Sequence, residues 1–210
     1  MVDSPWLDIP LEDYEAHMSL PSVGQAQLIA EQLDELVRER APNSVAVVGC
    51  AGGNGFERLV GAGVSRVVGV DINAQYVERV RERYAESLPG LELRVGDIQS
   101  DAVFFEAVDL IYAALVFEYV DVRSAMRTLR RHCRPNGVLA VLTQLPHESL
   151  GHVSVSPYTS LKRLEPAMRL VASETLVDEA SRAGFAAHPT YQIIPTPVGK
   201  RFALHTFRAG

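Results

Sequence analysis

Between Val45 and Leu142, short apolar runs recur five times with helical or loop-like segments between them, and this alternation narrows the chain to few architectures. The runs are Val45–Val48, Val67–Val70, Leu91–Val95, Leu110–Ala114 and Val138–Leu142. Most are apolar on successive residues, so both faces of each strand must be covered. Strands of that kind, joined by crossovers, form a parallel sheet with helices on each side. The expected fold class is therefore α/β, a doubly wound and mainly parallel sheet. Two further runs, Tyr191–Ile194 and Phe202–Phe207, flank Pro195-Thr196-Pro197-Val198-Gly199 and read as a C-terminal hairpin that adds an antiparallel strand.

Helical spacing fills the gaps. Val23, Ala26, Ile29, Leu33, Leu36 and Val37 predict a helix over Ser22–Arg40, stopped by Ala41-Pro42-Asn43. A brief helix is expected over Phe56–Val60, and another after Asn73, with Val77, Val80 and Tyr84 on one face. A short helix is expected over Ala102–Ala107. Asp121 caps a helix running through Cys133, with Pro135-Asn136-Gly137 as its stop, and Glu174–Arg182 forms the last helix, closed by Gly184. From Gln144 to about Pro166 the periodicity is lost, a long connection of the kind that often covers sites. The expected organisation is one domain over residues 1–210, with an N-terminal arm and helix (1–43) and a substrate-side loop (144–166).

The chain's 210 residues, 47% hydrophobic and 22% charged, suit one globular core. A net charge of −6 gives no global positive field toward nucleic acid or anionic membrane, so the expected partner is a small molecule. The opening residues Met1-Val2-Asp3-Ser4-Pro5-Trp6 lack a signal-like apolar run, and no stretch is long enough to span a bilayer. Only Cys50 and Cys133 are present, without metal-type spacing. Together these features lead to the expectation of a cytoplasmic protein with neither disulfide nor metal.

In such sheets ligands bind beyond the carboxyl ends of the strands. Gly49-Cys50-Ala51-Gly52-Gly53-Asn54-Gly55 follows the first strand directly and opens a helix, where glycines let backbone approach a ligand. Asp71 ends the second strand, placed either to accept hydrogen bonds from ribose hydroxyls or to cap the next helix, a cap that Asn73 already offers. Loop and acid together read as a nucleoside site.

The stretch Val45-Ala46-Val47-Val48-Gly49-Cys50-Ala51-Gly52-Gly53-Asn54-Gly55, with Val70-Asp71-Ile72 and Gly96-Asp97-Ile98, resembles the motifs of class I S-adenosylmethionine-dependent methyltransferases, a Rossmann-like family. Asp109–Val116 and Arg134–Leu139 are similar to that family's fourth motif and its turn into strand five. Lys200-Arg201-Phe202-Ala203-Leu204 is similar to its last, antiparallel strand. The resemblance implies S-adenosylmethionine as cofactor. Gly49, Cys50, Ala51 and Gly53 would lie against the methionine portion, Asp71 and Ile72 against ribose, and Asp97 and Ile98 against adenine, with Ala114 at the end of the fourth strand. Val47 stands where the family commonly has an acid, and Ala51 where it commonly has glycine. The implied chemistry is direct in-line methyl transfer. A nicotinamide-dependent oxidoreductase and a non-catalytic nucleoside-binding protein share the opening motif and are the alternatives.

Candidate catalytic residues are Glu118, which follows the fourth strand, and His147 and His152 in the long connection, since a carboxylate or imidazole there could deprotonate an acceptor. The competing reading, favoured by residue type alone, is an exposed carboxylate near the next helix's positive end for Glu118 and solvated loop residues for the histidines. Tyr119 and Tyr158 fall in the same regions. Tyr14 and His17 either close the site or pack an N-terminal arm. Arg123, Arg127, Arg130 and Arg134 recur at helical spacing without interleaved aromatics, which favours a solvated face over a nucleic-acid patch.

Overall fold

Alternate residues of the central strands point to opposite faces, and both sets are buried, which is what the unbroken apolar runs require. The computed structural model describes residues 4–187 and 191–210; Met1 to Asp3 lie outside them. Its sheet has eight strands: β1 (Ser44–Val48), β2 (Arg66–Asp71), β3 (Leu91–Val95), β4 (Val108–Ala114), β5 (Cys133–Gln144), β6 (Phe185–Ala187), β7 (Gln192–Pro195) and β8 (Arg201–Ala209). The order is β3-β2-β1-β4-β5-β8-β6, with β7 also paired to β8. The first five are parallel, and β8 runs antiparallel to β5. Strand order reverses between β1 and β4, so the crevice beyond their carboxyl ends is where a ligand fits.

Five helices cover the sheet: α1 (Leu11–Ser19), α2 (Gln25–Arg40), α3 (Ala74–Tyr84), α4 (Val122–Arg131) and α5 (Ser173–Ala183). On one face Val45, Val47, Leu110 and Tyr112 pack with Leu33, Leu36 and Val37 of α2. On the other, Ala46, Val48, Ile111 and Leu139 pack with Met126 and Leu129 of α4 and Leu176 and Ala180 of α5. The buried Tyr112 hydroxyl donates to the Ile29 carbonyl at 3.0 Å and fixes α2 to the sheet. Asn73 and Asp121 cap α3 and α4 as expected, accepting from the Gln75 and Ser124 amides at 2.9 Å each. Among the described residues no helix is long and apolar enough to cross a membrane.

Three expectations are corrected. The helix read from Ser22 begins at Gln25, because Leu20–Gly24 forms a turn with Gly24 at φ +63°; a separate helix, α1, precedes it. Residues 102–107 are not helical. Val103 and Phe105 are buried while Phe104 is 64% exposed, an extended pattern of period two, and His132 lies within hydrogen-bonding distance of the carbonyls of Phe105 and Val103. The helix read through Cys133 ends at Arg131, and β5 starts at Cys133, so Pro135-Asn136-Gly137 lies inside a strand beside a register irregularity.

The arginine series serves packing. Arg123 pairs with Glu179 of α5 at 3.0 Å, Arg130 donates to the carbonyls of Gly184 and Gly210, and Arg134, in β5, pairs with Asp109 at 2.9 Å.

Leu33 is fully buried under the loop after β1, whereas Leu7 is half exposed. Leu33→Ala is expected to lower unfolding free energy by about 2–5 kcal/mol and Leu7→Ala by less than about 1 kcal/mol, measured by urea titration.

Candidate functional site

Chain geometry at the end of β1 makes the first wall. Gly49 turns with φ +67°, and a Cβ there would sit 2.3 Å from the Val116 side chain, so the turn requires glycine. Ala51 also takes a left-handed conformation, φ +46°. Its amide donates to one oxygen of Asp71 at 2.8 Å, while the other oxygen accepts from the Asn73 amide at 2.9 Å. Burial pushes the Asp71 carboxyl up to about 6, and these backbone hydrogen bonds oppose the rise. From outside, Arg83 donates to the Gly52 carbonyl at 2.8 Å and is held by both oxygens of Glu15. Val47 packs in the apolar layer under α2, and its side chain has no polar atom to offer this network.

The result is an open cleft beyond the ends of β1, β2 and β4. Of the residues singled out for cofactor contact, Gly49, Ala51, Asp71, Ile72, Asp97, Ile98 and Ala114 line it. Cys50 and Gly53 do not. The Cys50 thiol is buried over Gly69 beside Phe56, and that burial pushes its pKa well up. Gly53 lines an outer groove with Arg83 and Tyr84. The Asp97 carboxylate accepts from the Gln99 amide and side chain, a turn that shapes the far end of the cleft.

The N-terminal arm supplies the opposite wall. Trp6 and Tyr14 line the cleft, and the Trp6 ring packs edge-on against Tyr14 and Tyr119. Asn73 donates to the Trp6 carbonyl at 2.9 Å and the Tyr76 hydroxyl to the Ile9 carbonyl at 2.8 Å, which stitches the arm to α3. Leu115, after β4, stands at φ +56°, a strained conformation for a bulky residue and one that clusters at functional sites.

A second cavity adjoins the first across Trp6, Tyr14, Leu115 and Tyr119, which line both. His17, Gln25, Gln144 and Lys200 bring buried polar groups to it, and Leu161, Leu164 and Met168, from the region after β5, bring apolar ones. The Lys200 ammonium donates to the Gln144 side chain at 3.2 Å and to the His152 carbonyl at 2.7 Å.

The candidate catalytic side chains are placed differently from one another. Glu118 is buried, not exposed, and lines neither cavity; one oxygen accepts from the Gln144 amide at 2.7 Å, the other has no partner, and burial pushes its pKa up to about 7. His147 is exposed outside both cavities and accepts from the Ser149 and Leu150 amides. His152 lines the second cavity and binds Lys200 and Gln144 through its backbone carbonyl. Tyr14 and His17 line the second cavity together, and Tyr158 lines neither. Trp6, Gln144 and Lys200 carry no pattern in the sequence that marks them; their roles arise from chain ends and strand termini brought together.

Residues 46–141 match the family described as a methyltransferase domain. The chain is 36% identical over 117 residues to a trans-aconitate 2-methyltransferase from Azoarcus, covering 54% of this chain and 44% of that protein. It is 27% identical over 136 residues to the tRNA 5-carboxymethoxyuridine methyltransferase of Escherichia coli, covering 61% and 51%. The chain thus spans about half the length of these curated relatives. The structure of magnesium protoporphyrin IX methyltransferase from Synechocystis with bound SAH superposes with a TM-score of 0.66 at 15% identity, covering 90% of this chain and 84% of that one. The sheet order with its antiparallel β8 and the cleft at the ends of β1 and β2 give this chain the Rossmann-like fold of the solved methyltransferases it superposes on, and residues 46–141 match a methyltransferase domain.

Proposed function

We propose that the protein transfers a methyl group from S-adenosylmethionine to a small molecule seated in the second cavity. The observation that carries this reading is the pair of adjoining cavities with a shared aromatic and aliphatic wall, Trp6, Tyr14, Leu115 and Tyr119. The first cavity suits the nucleoside: each Asp71 oxygen accepts one backbone amide and keeps a lone pair for a ribose hydroxyl. Gly49 and Ala51 would face the amino-acid portion, and Ile72, Asp97 and Ile98 the adenine. Bound there, S-adenosylmethionine would supply an electrophilic methyl group for in-line displacement by an acceptor lone pair, with the electron pair of the broken carbon–sulfur bond left on sulfur.

The chain's own contribution is alignment and exclusion of water. Trp6 and Tyr14 cover the cleft, and Leu115 and Tyr119 bound the passage along which acceptor and methyl group meet. Glu118 is a positioning residue, holding the Gln144 backbone at the edge of the acceptor cavity. A neutral His17 is the group best placed to take a proton from an acceptor that has one to lose, since burial and then the Lys200 charge lower its pKa. A tRNA acceptor, as named for one relative, has less support: the lining of the second cavity carries a single lysine and mostly apolar groups, not the run of basic side chains that follows a nucleic-acid backbone.

Calorimetric titration is expected to give binding of S-adenosylmethionine and S-adenosylhomocysteine but not of NAD(H), and Asp71→Ala should weaken it by at least about tenfold, about 1.4 kcal/mol. Preference for NAD(H), or no binding of either sulfur compound, would overturn the reading.

Glu118 gives a second test. Its folded-state pKa, about 7, lies above its ordinary value of 4.5, so its stabilising contribution is complete below the ordinary value and is lost as pH rises through about 7. Glu118→Gln removes this titration. Relative to wild type, the variant should gain about 2 kcal/mol between pH 5 and pH 8, because each tenfold change in a protonation equilibrium is worth about 1.4 kcal/mol. Urea titrations at both pH values measure the difference, and an unchanged gap refutes the assignment.

A further inference from the structure

Lys200 is 4% exposed, and among the described residues no carboxylate pairs with it. An ammonium carries three donors. Two are used, on the Gln144 amide oxygen and the His152 carbonyl, and both partners are neutral, so the charge is solvated but not balanced. Burying a cation without a counter-ion is costly, and such groups are held for a reason other than stability.

The second cavity shows what would balance it. Among the described residues its lining contains no aspartate, glutamate or arginine, and Lys200 is the one formally charged wall group. His17, 5% exposed, faces the same space with its Nδ1 unpartnered, and the nearby ammonium helps keep that ring neutral. Most of the rest is apolar: Met18, Leu161, Leu164 and Met168, with Trp6 and Tyr119 at the mouth of the cofactor cleft.

Resting on the reading of this cavity as the acceptor site, we infer that the acceptor is a small organic acid with an apolar body, its carboxylate paired with Lys200 and hydrogen-bonded by His17. One ammonium beside uncharged groups matches a single carboxylate. A phosphate ester carries more charge and is usually met by an arginine fork or a cluster of backbone amides, neither of which this lining supplies. The apolar walls take up the body of the acid, which a fully polar metabolite could not satisfy. Lys200 is thus a specificity residue, selecting acids over their neutral analogues by leaving its charge unpaired when the wrong molecule binds.

Trp6 is the chain's single tryptophan and lines both cavities, so its fluorescence reports occupancy. The protein would be titrated with octanoate and phenylacetate and with octanamide and phenylacetamide, first with S-adenosylhomocysteine present and then without it. The acids should bind at least about tenfold more tightly than the matching amides, about 1.4 kcal/mol. In Lys200→Met, which retains the length and apolar volume of the side chain, that preference should vanish. Equal affinity for acid and amide in wild type overturns the inference whether or not the variant folds. Failure of all four probes to bind at millimolar concentration, or a preference that survives in folded Lys200→Met, does the same. Failure of S-adenosylhomocysteine to bind counts against the methyltransferase reading instead, because the titration without it still reports on Lys200.

Discussion

The carboxylate of Asp71 holds two consecutive crossover loops at once. One oxygen takes the Ala51 amide at the end of β1's loop and the other the Asn73 amide that leads into α3. Both walls of the cleft at the ends of β1 and β2 therefore share a single anchor, and the arm with Trp6 is tied to the same place through the Asn73 side chain. The anchor is buried, which raises the cost of its charge, and only the inward-pointing amides make that charge tolerable. A ligand hydroxyl adds to the set of donors that the carboxylate already draws together.

The glycine-rich loop is held from two sides. With Val47 in the apolar layer, the glycine-rich loop is fixed by Asp71 from within and by the Arg83–Glu15 pair from outside. Glu15 belongs to α1, so closure of the N-terminal arm and ordering of the loop are physically coupled. The left-handed backbone at Ala51, unfavourable for a residue with a Cβ, is supported by the Asp71 hydrogen bond and by packing against Leu11 and Tyr76.

Burial also separates the roles of the polar groups around the second cavity. Glu118 sits behind the wall and fixes Gln144, Gln144 orients Lys200, and Lys200 faces the cavity. The order runs from a carboxyl that burial keeps near neutrality to a cation that protein oxygens solvate but do not neutralise. Neither property follows from residue type, since each depends on how far the group lies from water.

The parallel strands, the positions of the loop glycines, Asp71 and Asp97, the Asn73 and Asp121 caps and the closing hairpin were legible in the sequence. Each is a local consequence of side-chain pattern or backbone conformation within a few residues. The split between α1 and α2, the extended segment at 102–107 and the early end of α4 were not. Those were decided by Gly24's conformation, by burial of Val103 and Phe105, and by the contacts of His132 with distant carbonyls. The second cavity was the least legible part: Trp6, His17, Gln144 and Lys200 are separated by up to most of the chain and meet only because β8 inserts beside β5 while the N-terminal arm folds across the sheet. The sequence by itself determined a sheet that buries both faces and a nucleoside-type loop at its switch point. Tertiary structure alone decided which side chains lose their water, and with it the charge, the protonation and the chemistry of the space beside that loop.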